Sequence, residues 1–450
     1  MRGQKAQIPS PIRVRKHLNA DALFASLKRG FEKIPDHRPG DVDISLADAI
    51  MSGFAMFSIK DPSLLIFENR RKEGNHNLNS IYGIDKIPSD TRMREILDEL
   101  YPKFIRSAYK VIFRALQRGK ALEPMVFLEG CYLLSLDGTG YYSSEKIGSE
   151  YCLVKKDKKT GKITYSRQML GGAIVHPDFK EVIPLTPEMI IKQDGQSKND
   201  CERNAAKRFF KQLRKDHPHL PLIITEDALS PNAPHIRDLK AHNLHFILGA
   251  KPGDHAFLFE YVKEASLKGE TIEYEYIDKN NPEITHRFRF LNQVPLNKSN
   301  KDLLVNFIDY QEITDKETKH FSWITDFTVT RNNVYQIMRG GRARWKIENE
   351  TFNTLKNQGY NFGHNYGLGK KHLSTIFAML MMLAFLVDQT QQLCCALFRS
   401  VWKKCNSKKA LWEKTRAMFE CFKFKSMQML YKALLHGYKK LYPIILNDTS

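Results

Sequence analysis

The chain has 450 residues, enough for two or three domains and at least one large buried core, so a single small module is excluded. Hydrophobic residues make up 42% of it, and no long Gly/Ser or Gln/Asn tract interrupts it, which excludes bulk disorder. Its 70 Lys and Arg residues exceed its 50 Asp and Glu residues, and this formal charge of +20 favours DNA or RNA as a partner over an anionic lipid surface.

Three features of the chain bear on its location. Residues 1–15 are basic, contain Pro9 and Pro11 and lack an apolar core, so a secretory signal is not expected. The most apolar stretch, residues 373–387, is shorter than the roughly 20 residues that cross a bilayer, and it predicts a buried helix. Seven cysteines without a Cys-x-x-Cys pair disfavour a zinc site or a disulfide framework and fit a reducing cytosol.

Helical periodicity extends from residue 21 to about residue 122. Apolar residues recur at three- and four-residue spacing in residues 48–57 and 90–97. Ser89 or Asp90 could cap the second of these helices. With its many basic side chains, this part predicts a helical N-terminal domain over residues 1–125 that binds DNA.

Strands and helices alternate from residue 126 onward. Residues 131–136 predict a buried strand that ends at Asp137, and residues 221–225 predict another that leads to Asp227. Further strands are expected at residues 151–154, 163–169, 171–176 and 244–248, and helices at residues 202–214 and 234–240. This alternation is typical of a three-layer domain with a largely parallel sheet core.

Residues 252–327 break this alternation, because their apolar and aromatic runs indicate an inserted antiparallel β region. Helices resume at Asn333 and continue to the end of the chain. We therefore expect one α/β domain over residues 126–390, with the insertion inside it. A helical region should follow over residues 391–450, where twelve Lys and Arg residues stand against three Asp and Glu residues.

Asp137 and Asp227 each follow a short apolar strand, and catalytic groups gather at that edge of open α/β sheets. Two carboxylates there could share hard cations, since Mg²⁺ prefers oxygen ligands. A pair of metal ions about 3.5–4 Å apart promotes phosphodiester cleavage by activating the attacking oxygen and stabilising the leaving one. Taken singly, each aspartate is weak evidence, because Asp before Gly is often a turn former.

Residues 342–356 predict a helix with a carboxylate on its apolar face. At about 100° per residue, that face carries Trp345, Phe352 and Leu355. Glu348 lies on the same face, and Glu350 points to the opposite side. Because a buried carboxylate needs a partner, Glu348 is a candidate metal ligand and Glu350 a solvated surface group. An ordinary helix pair between Arg344 and Glu348 explains the same spacing.

The segment Arg344-Trp345-Lys346-Ile347-Glu348 resembles the Arg-Trp-x-Ile-Glu core of the motif in IS4-type insertion-sequence transposases. The first aspartate, in Leu136-Asp137-Gly138-Thr139, and the second, in Ile223-Ile224-Thr225-Glu226-Asp227 followed by Pro231, match the same family. Those enzymes carry an Asp-Asp-Glu site on a ribonuclease-H-like fold, with a β insertion before the third acid. The resemblance runs from about residue 87 to residue 367.

Two positions depart from the family signature, which reads Tyr, two residues, Arg, three residues, Glu, six residues, Lys. Gly341 stands at the tyrosine position and Leu355 at the lysine position, with Lys356 one place late. Phosphate positioning by that lysine is therefore not carried over. Positive charge for binding DNA near the site would come from Arg342, Arg344, Lys346 and Lys356.

The resemblance implies an α/β chain with a ribonuclease-H-like catalytic core, a β-rich insertion and helical N-terminal and C-terminal regions. It implies that Asp137, Asp227 and Glu348 are the catalytic acids and bind two Mg²⁺ ions, which Mn²⁺ can replace. Water would free a 3′-hydroxyl at an element end, and that hydroxyl would attack a target phosphate. The expected partner is double-stranded DNA, bound by a dimer in the cytoplasm, at the nucleoid, with no membrane.

Three alternatives remain beside this interpretation. A metal-dependent nuclease of the same fold would cut DNA without joining it. A repurposed, catalytically inactive DNA-binding protein is the second alternative, although the presence of all three acids counts against it. A basic structural scaffold is the third.

Two further features have both a functional and a plain explanation. Trp323 could stack on an unpaired base, although a core tryptophan is the simpler interpretation. The polar stretch over residues 192–208 could line a DNA channel or form a solvated loop and helix face.

Overall fold

The computed structural model describes residues 15–74, 76–192, 201–277 and 281–437. Residues 1–14 of the basic N-terminal segment and residues 193–200 of the polar stretch lie outside the described residues. The chain forms two compact units, which we name the helical unit, Met1–Ala121 with Leu355–Ser450, and the sheet unit, Leu122–Thr354. The predicted domain boundaries fell after residues 125 and 390.

The described residues contain fifteen α-helices: α1 (Ala20–Phe31), α2 (Leu46–Ile59), α3 (Leu64–Lys72), α4 (His76–Tyr82), α5 (Asp90–Asp98), α6 (Arg106–Arg118), α7 (Glu202–Asp216), α8 (Ala233–Ala241), α9 (Ala256–Leu267), α10 (Val334–Arg342), α11 (Asn353–Asn357), α12 (Leu373–Cys394), α13 (Ala396–Cys405), α14 (Lys408–Cys421) and α15 (Met427–His436). Short 3₁₀ helices occur at Pro102–Phe104 and Glu123–Met125, and a π-helix occurs at Ile347–Phe352.

The same residues contain twelve strands: β1 (Val126–Leu128), β2 (Cys131–Ser144), β3 (Leu153–Lys156), β4 (Ile163–Val175), β5 (Ile183–Pro184), β6 (Glu188–Ile190), β7 (Leu222–Glu226), β8 (His245–Gly249), β9 (Ile272–Ile277), β10 (Thr285–Asn297), β11 (Asn300–Ile313) and β12 (Thr318–Thr325).

The core of the helical unit is built on α2 and α12. Ser45 caps α2, and nearly every residue of that helix is buried. The buried helix predicted at residues 373–387 is confirmed, since α12 contains it and packs against α2. Helix α12 is long and apolar enough to cross a membrane, but its apolar window is wholly buried inside the protein. Its composition is therefore that of a core helix.

A single carboxylate accepts hydrogen bonds from the backbone amides at the N-terminal end of α12. Asp98 accepts hydrogen bonds from the amides of Lys370, Lys371, His372 and Leu373, at 2.8–3.0 Å. Burial alone would raise the pKa of Asp98, but these amides hold it below its usual value. The bond from Leu373 satisfies one of the amides that the start of a helix leaves without an intrahelical partner, and the other three hold the segment that leads into α12.

One twelve-stranded sheet forms the sheet unit, with the strands in the order β3-β4-β2-β7-β8-β12-β11-β10-β9. Among the described strands, only the pairs β2–β7 and β7–β8 are parallel. The expectation of a largely parallel sheet is therefore wrong. Strands β3, β4 and β2 pair through antiparallel ladders, and β12 joins β8 in the antiparallel sense.

The antiparallel region expected over residues 252–327 contains β9, β10, β11 and β12. These strands do not form a sheet of their own, because Trp323, Ile324 and Thr325 of β12 pair with β8. The expected insertion therefore extends the main sheet at the side of β8.

Helices cover both faces of this sheet around β2 and β4. Successive residues of a strand point to opposite faces, and Gly171 and Gly172 of β4 illustrate this. A Cβ atom on Gly172 would lie 2.6 Å from the ring of Phe209 in α7, whereas one on Gly171 would lie 2.8 Å from the ring of Phe352 in the π-helix. The predicted three-layer arrangement of helices around a sheet is present here.

Candidate active site

Asp137 and Asp227 are brought together by the parallel pairing of β2 with β7. Ser135 of β2 faces Thr225 of β7 in the last pair of this ladder. Asp137 lies two residues beyond that pair within β2, and Asp227 lies two residues beyond it, directly after the end of β7. The two strands are about 4.8 Å apart. The expected meeting of the two aspartates at one edge is thus reproduced by the strand register.

The prediction that the first strand ends at Asp137 is wrong. Strand β2 continues to Ser144, because its residues beyond the ladder with β7 keep pairing with β4, where Asp137 faces Gly171. The strands expected at residues 163–169 and 171–176 are likewise one strand, β4. Asp137 therefore projects from a strand that is held on its other side, whereas Asp227 follows the end of β7 and accepts a hydrogen bond from the Leu229 amide at 3.0 Å.

The third acid lies on a helix that differs from the predicted one. The helix expected over residues 342–356 is present in part: α10 ends at Arg342, a turn occupies residues 343–344, and helical structure then continues through the π-helix Ile347–Phe352 into α11. The carbonyl of Arg344, in that turn, accepts a hydrogen bond from the Ser135 hydroxyl at 3.0 Å. This bond ties the turn to the strand that carries Asp137.

The wider turn of the π-helix changes which side chains share a face. Trp345, predicted on the buried face, is 48% exposed, whereas Phe352 is buried as expected. Glu348 and Glu350 are both partly buried. The charge of Glu350 acts on Lys346, while the charge of Glu348 acts on Asp137. The two glutamates therefore have different charged neighbours, but Glu350 is not the solvated surface group that was expected, because it is partly buried like Glu348.

Gly171 allows the π-helix to approach the sheet beside Asp137. The two residues face each other across β4 and β2, and the ring of Phe352 fills the space where a side chain of Gly171 would lie. Phe352 lies four residues after Glu348 in the π-helix. The absence of a side chain at Gly171 thus sets the height of Glu348 above the strands.

Burial and two neighbouring carboxylates raise the pKa of Asp137. Burial is the largest cause, and the charges of Glu348 and Asp227 add to it. Arg344 and the Gly138 amide act in the opposite direction. The guanidinium of Arg344 lies 3.9 Å from the Asp137 carboxylate and stacks over the ring of Trp345, 4.4 Å from its centroid. Three acids from different elements therefore share one electrostatic environment.

Arg344 does not form the ordinary helix pair that was the alternative explanation of its spacing. Within the described ranges, its salt bridge is to Asp137 and none is found to Glu348. The guanidinium therefore compensates the carboxylate on the strand. Glu348 has no such compensation from the residue four places before it.

The donor set suits a hard cation, because it consists of carboxylate oxygens that repel one another. In the described parts of the chain, no three His, Cys, Asp or Glu side chains stand close enough together to hold a metal ion as they are placed. The charges of Asp227 and Glu348 both act on Asp137, and a cation would relieve this repulsion, which adds to burial in raising the pKa of Asp137. The residues fit a divalent metal by their chemistry.

Glu202 is a fourth acid near the site that the sequence did not single out. It is the first residue of α7, and a Cβ atom on Gly138 would lie 2.0 Å from its carboxylate. Burial raises the pKa of Glu202, and the charges of Asp137 and Asp227 raise it further. The only signal in the sequence was its position in the polar stretch before a helix, which many solvated glutamates share.

Three of the predicted DNA-binding side chains lie in the sheet unit, and each of them already has a protein partner. Arg342 forms a salt bridge with Glu312 and lies over the ring of Phe321. The ammonium of Lys346 donates to the carbonyl of Phe179 at 2.7 Å, and burial lowers its pKa. Arg344 faces the acids, as described above. The fourth residue, Lys356, is exposed and belongs to the helical unit.

The departure at Gly341 has a packing explanation. A Cβ atom there would lie 2.3 Å from the indole nitrogen of Trp323 in β12, so no larger residue fits unless the tryptophan moves. Trp323 is 5% exposed, and the interpretation of it as a core tryptophan is confirmed. At the second departure, Leu355 is fully buried, so a charged lysine would be unfavourable there.

Replacing Gly171 by alanine is expected to slow any reaction at this site about tenfold. The added methyl group would displace Phe352 and with it Glu348, and a shift of about 1 Å can cost about a hundredfold in rate. The matched control is Gly140→Ala in β2, since a Cβ atom there makes only ordinary contact at 3.9 Å. Phe352→Leu in the Gly171→Ala background should restore part of the rate. Equal activity of the two single variants would contradict this role of Gly171.

The comparisons with known proteins leave the family open. The chain matches neither a protein-family model nor a curated protein.

Proposed function

We propose that this protein is a DNA transposase of the IS4 type, which cuts DNA at the ends of an insertion sequence and joins them to a target. The observation that carries the proposal is the convergence of Asp137, Asp227 and Glu348 from two neighbouring strands and a π-helix. The charges of Glu348 and Asp227 both act on the pKa of Asp137, which supports a shared role. Strands β9–β12 lie between the second and third acids, in the order that the resemblance implies.

The proposed fold of the core is ribonuclease-H-like. Five strands support this, in the order β3-β4-β2-β7-β8, with antiparallel ladders at β3–β4 and β4–β2 and parallel ladders at β2–β7 and β7–β8. Helices on both faces of these strands agree with it. The carboxylates would then lie where β2 and β7 separate, at the edge where ligands bind in open α/β sheets.

Asp137, Asp227 and Glu348 would hold two Mg²⁺ ions, or Mn²⁺ in their place. When bound, such ions supply activation of the attacking oxygen and stabilisation of the leaving oxygen. The guanidinium of Arg344 partly compensates the negative charge of Asp137. Its side chain would rotate from Asp137 toward a phosphate of the bound DNA. The burial of Asp137 keeps bulk water from one side of its carboxylate and strengthens its interactions with charged groups.

Double-stranded DNA is the proposed partner, since the formal charge of +20 favours a polyanion. Two element ends must be held together for transposition, so we propose a dimer in the DNA complex. The proposed location is the cytoplasm, at the nucleoid when DNA is bound. A strictly monomeric complex at saturating end DNA, measured by analytical ultracentrifugation, would contradict the dimer.

The test is an assay of cleavage and joining on DNA that carries the repeats flanking the gene, in Mg²⁺ or Mn²⁺. We expect metal-dependent nicking at the repeat ends and joined products, both absent with Asp137→Asn. The pKa of Asp137 is raised in the folded protein, so ionisation of this carboxyl group destabilises the fold at any pH above the usual pKa of Asp. The neutral amide of Asp137→Asn avoids that cost, and this variant should therefore be at least as stable as the wild type at neutral pH. Cleavage without joined products would instead identify a nuclease, and DNA binding without cleavage a repurposed protein.

A further inference from the structure

The hairpin between β3 and β4 exposes an unusual density of positive charge. We name residues 155–162 the lysine hairpin. Its five exposed lysines are Lys155, Lys156, Lys158, Lys159 and Lys162. Lys162 lies 3.5 Å from the carboxylate of Glu145. The other four have no salt bridge to an acid in the part of the chain that the structure describes.

The turn of the lysine hairpin is held by its one acid, which is therefore used within the turn. The Asp157 carboxylate accepts hydrogen bonds from the amides of Lys159 and Thr160, at 2.9 and 2.7 Å. The Asp157 amide donates to the carbonyl of Lys162 at 2.8 Å, and Gly161 has the positive φ of 71° that the turn needs. The lysines are thus presented on a hydrogen-bonded support.

The lysine hairpin lies along the same two strands that lead to the acids. Strand β3 is the last strand of the sheet on this side, and Lys156 pairs with Ile163 at the start of β4. Gly171, opposite Asp137, is eight residues further along β4. At about 3.4 Å per residue the separation is about 27 Å, which corresponds to about eight base pairs of B-DNA.

We propose that the lysine hairpin binds the phosphate backbone of duplex DNA about eight base pairs from the phosphate that lies at the carboxylates. The inference rests on the proposed function, because it assumes that the duplex runs from the carboxylates along β4 toward the lysine hairpin. It adds to that function the surface that binds the DNA next to the cleaved position. Lysine ammonium groups act on phosphates as point charges and release condensed counterions, so the contact is independent of base sequence. Four lysines free of salt bridges allow up to four such contacts.

Lysines at the edge of a sheet have a second use, because they prevent edge-to-edge pairing with another chain. That role would require charge on β3 alone. Here Lys158 and Lys159 lie in the turn beyond β3, where no strand edge is available for pairing. Charge in the turn points to a partner that the tip of the hairpin reaches.

The experiment compares two quadruple variants of the full chain that remove the same charge from the same unit. The hairpin variant is Lys155→Gln, Lys156→Gln, Lys158→Gln and Lys159→Gln. The matched control is Lys263→Gln, Lys268→Gln, Lys298→Gln and Lys301→Gln, at exposed positions in and directly after α9 and in the β10–β11 turn and the start of β11. Binding of a 40-base-pair duplex is measured without metal at several salt concentrations, so no result depends on cleavage.

For the hairpin variant, we expect the slope of log affinity against log salt to become shallower by about three, since each phosphate contact contributes about 0.9. The control should change it by less than about one. Shortening the duplex on one side of the cleavage position to about five base pairs should abolish the difference between wild type and hairpin variant. Equal slopes for the two variants would overturn the inference, as would an unchanged slope with increased self-association. A loss confined to duplex RNA would also overturn it.

Discussion

Replacing Glu348 by glutamine is expected to lower the rate of metal-dependent DNA cleavage about a thousandfold, which corresponds to about 4 kcal/mol of transition-state stabilisation. The amide keeps the size of the side chain but removes the negative charge that acts on Asp137 and would hold the cation. Single-turnover cleavage of end DNA at saturating enzyme measures the chemical step. Circular dichroism and the thermal midpoint should match those of the wild type.

The matched control is Glu350→Gln, two residues away on the same π-helix. Glu350 acts on Lys346, whose ammonium is already bound to the Phe179 carbonyl, so its loss should change the rate less than about threefold. A thousandfold loss with Glu350→Gln and an active Glu348→Gln would reassign the third acid. Equal, modest losses would indicate that neither side chain carries charge that the reaction needs.

Local patterns predicted those elements whose causes are local. Ser89 caps α5 as expected, by accepting a hydrogen bond from the Arg92 amide. This prediction depends only on local sequence, because a capping serine binds an amide two or three residues after it. Apolar runs predicted β7 and the buried helix α12. An element that is buried on all sides is apolar at nearly every position, so it can be recognised without a periodic pattern. The juxtaposition of Asp137 and Asp227 was predicted from two strand ends, but only β7 ends there, and the parallel pairing of β2 with β7 brings the two residues together.

Other features depend on contacts between distant parts of the chain, and these the sequence could not supply. Strand β2 continues past Asp137 because β4, which follows β3 in the chain, pairs with it. The turn before Glu348 contains the Arg344 carbonyl, which accepts a hydrogen bond from Ser135, more than two hundred residues away in sequence. Glu202 comes close because Gly138 has no side chain. None of these leaves a periodic signal in its own segment.

The helical unit contains a buried ion pair whose removal should have the largest effect on stability. Lys60 lies 2.5 Å from Asp388 of α12, and their side chains are 1% and 7% exposed. The Tyr360 hydroxyl donates to Asp388 at 2.8 Å, and the Lys60 ammonium lies 3.9 Å from the ring centroid of Trp412. Burial lowers the pKa of Lys60 and raises that of Asp388, and each charge is kept by the other.

Asp388→Leu alone or Lys60→Met alone should each reduce the free energy of unfolding of the helical unit by about 3–5 kcal/mol, since either leaves a charge buried without its partner. The double variant should recover most of this loss, because apolar residues of similar volume replace a buried pair at little cost. It still leaves the buried Tyr360 hydroxyl without its acceptor, so adding Tyr360→Phe should bring the stability close to that of the wild type. Urea unfolding followed by far-ultraviolet circular dichroism measures both effects. Lys86→Met, at the exposed pair with Asp43, is the control and should show no measurable loss. If the losses at Lys60 and Asp388 simply add in the double variant, the two charges do not stabilise each other, and the packing of α12 must depend on each separately.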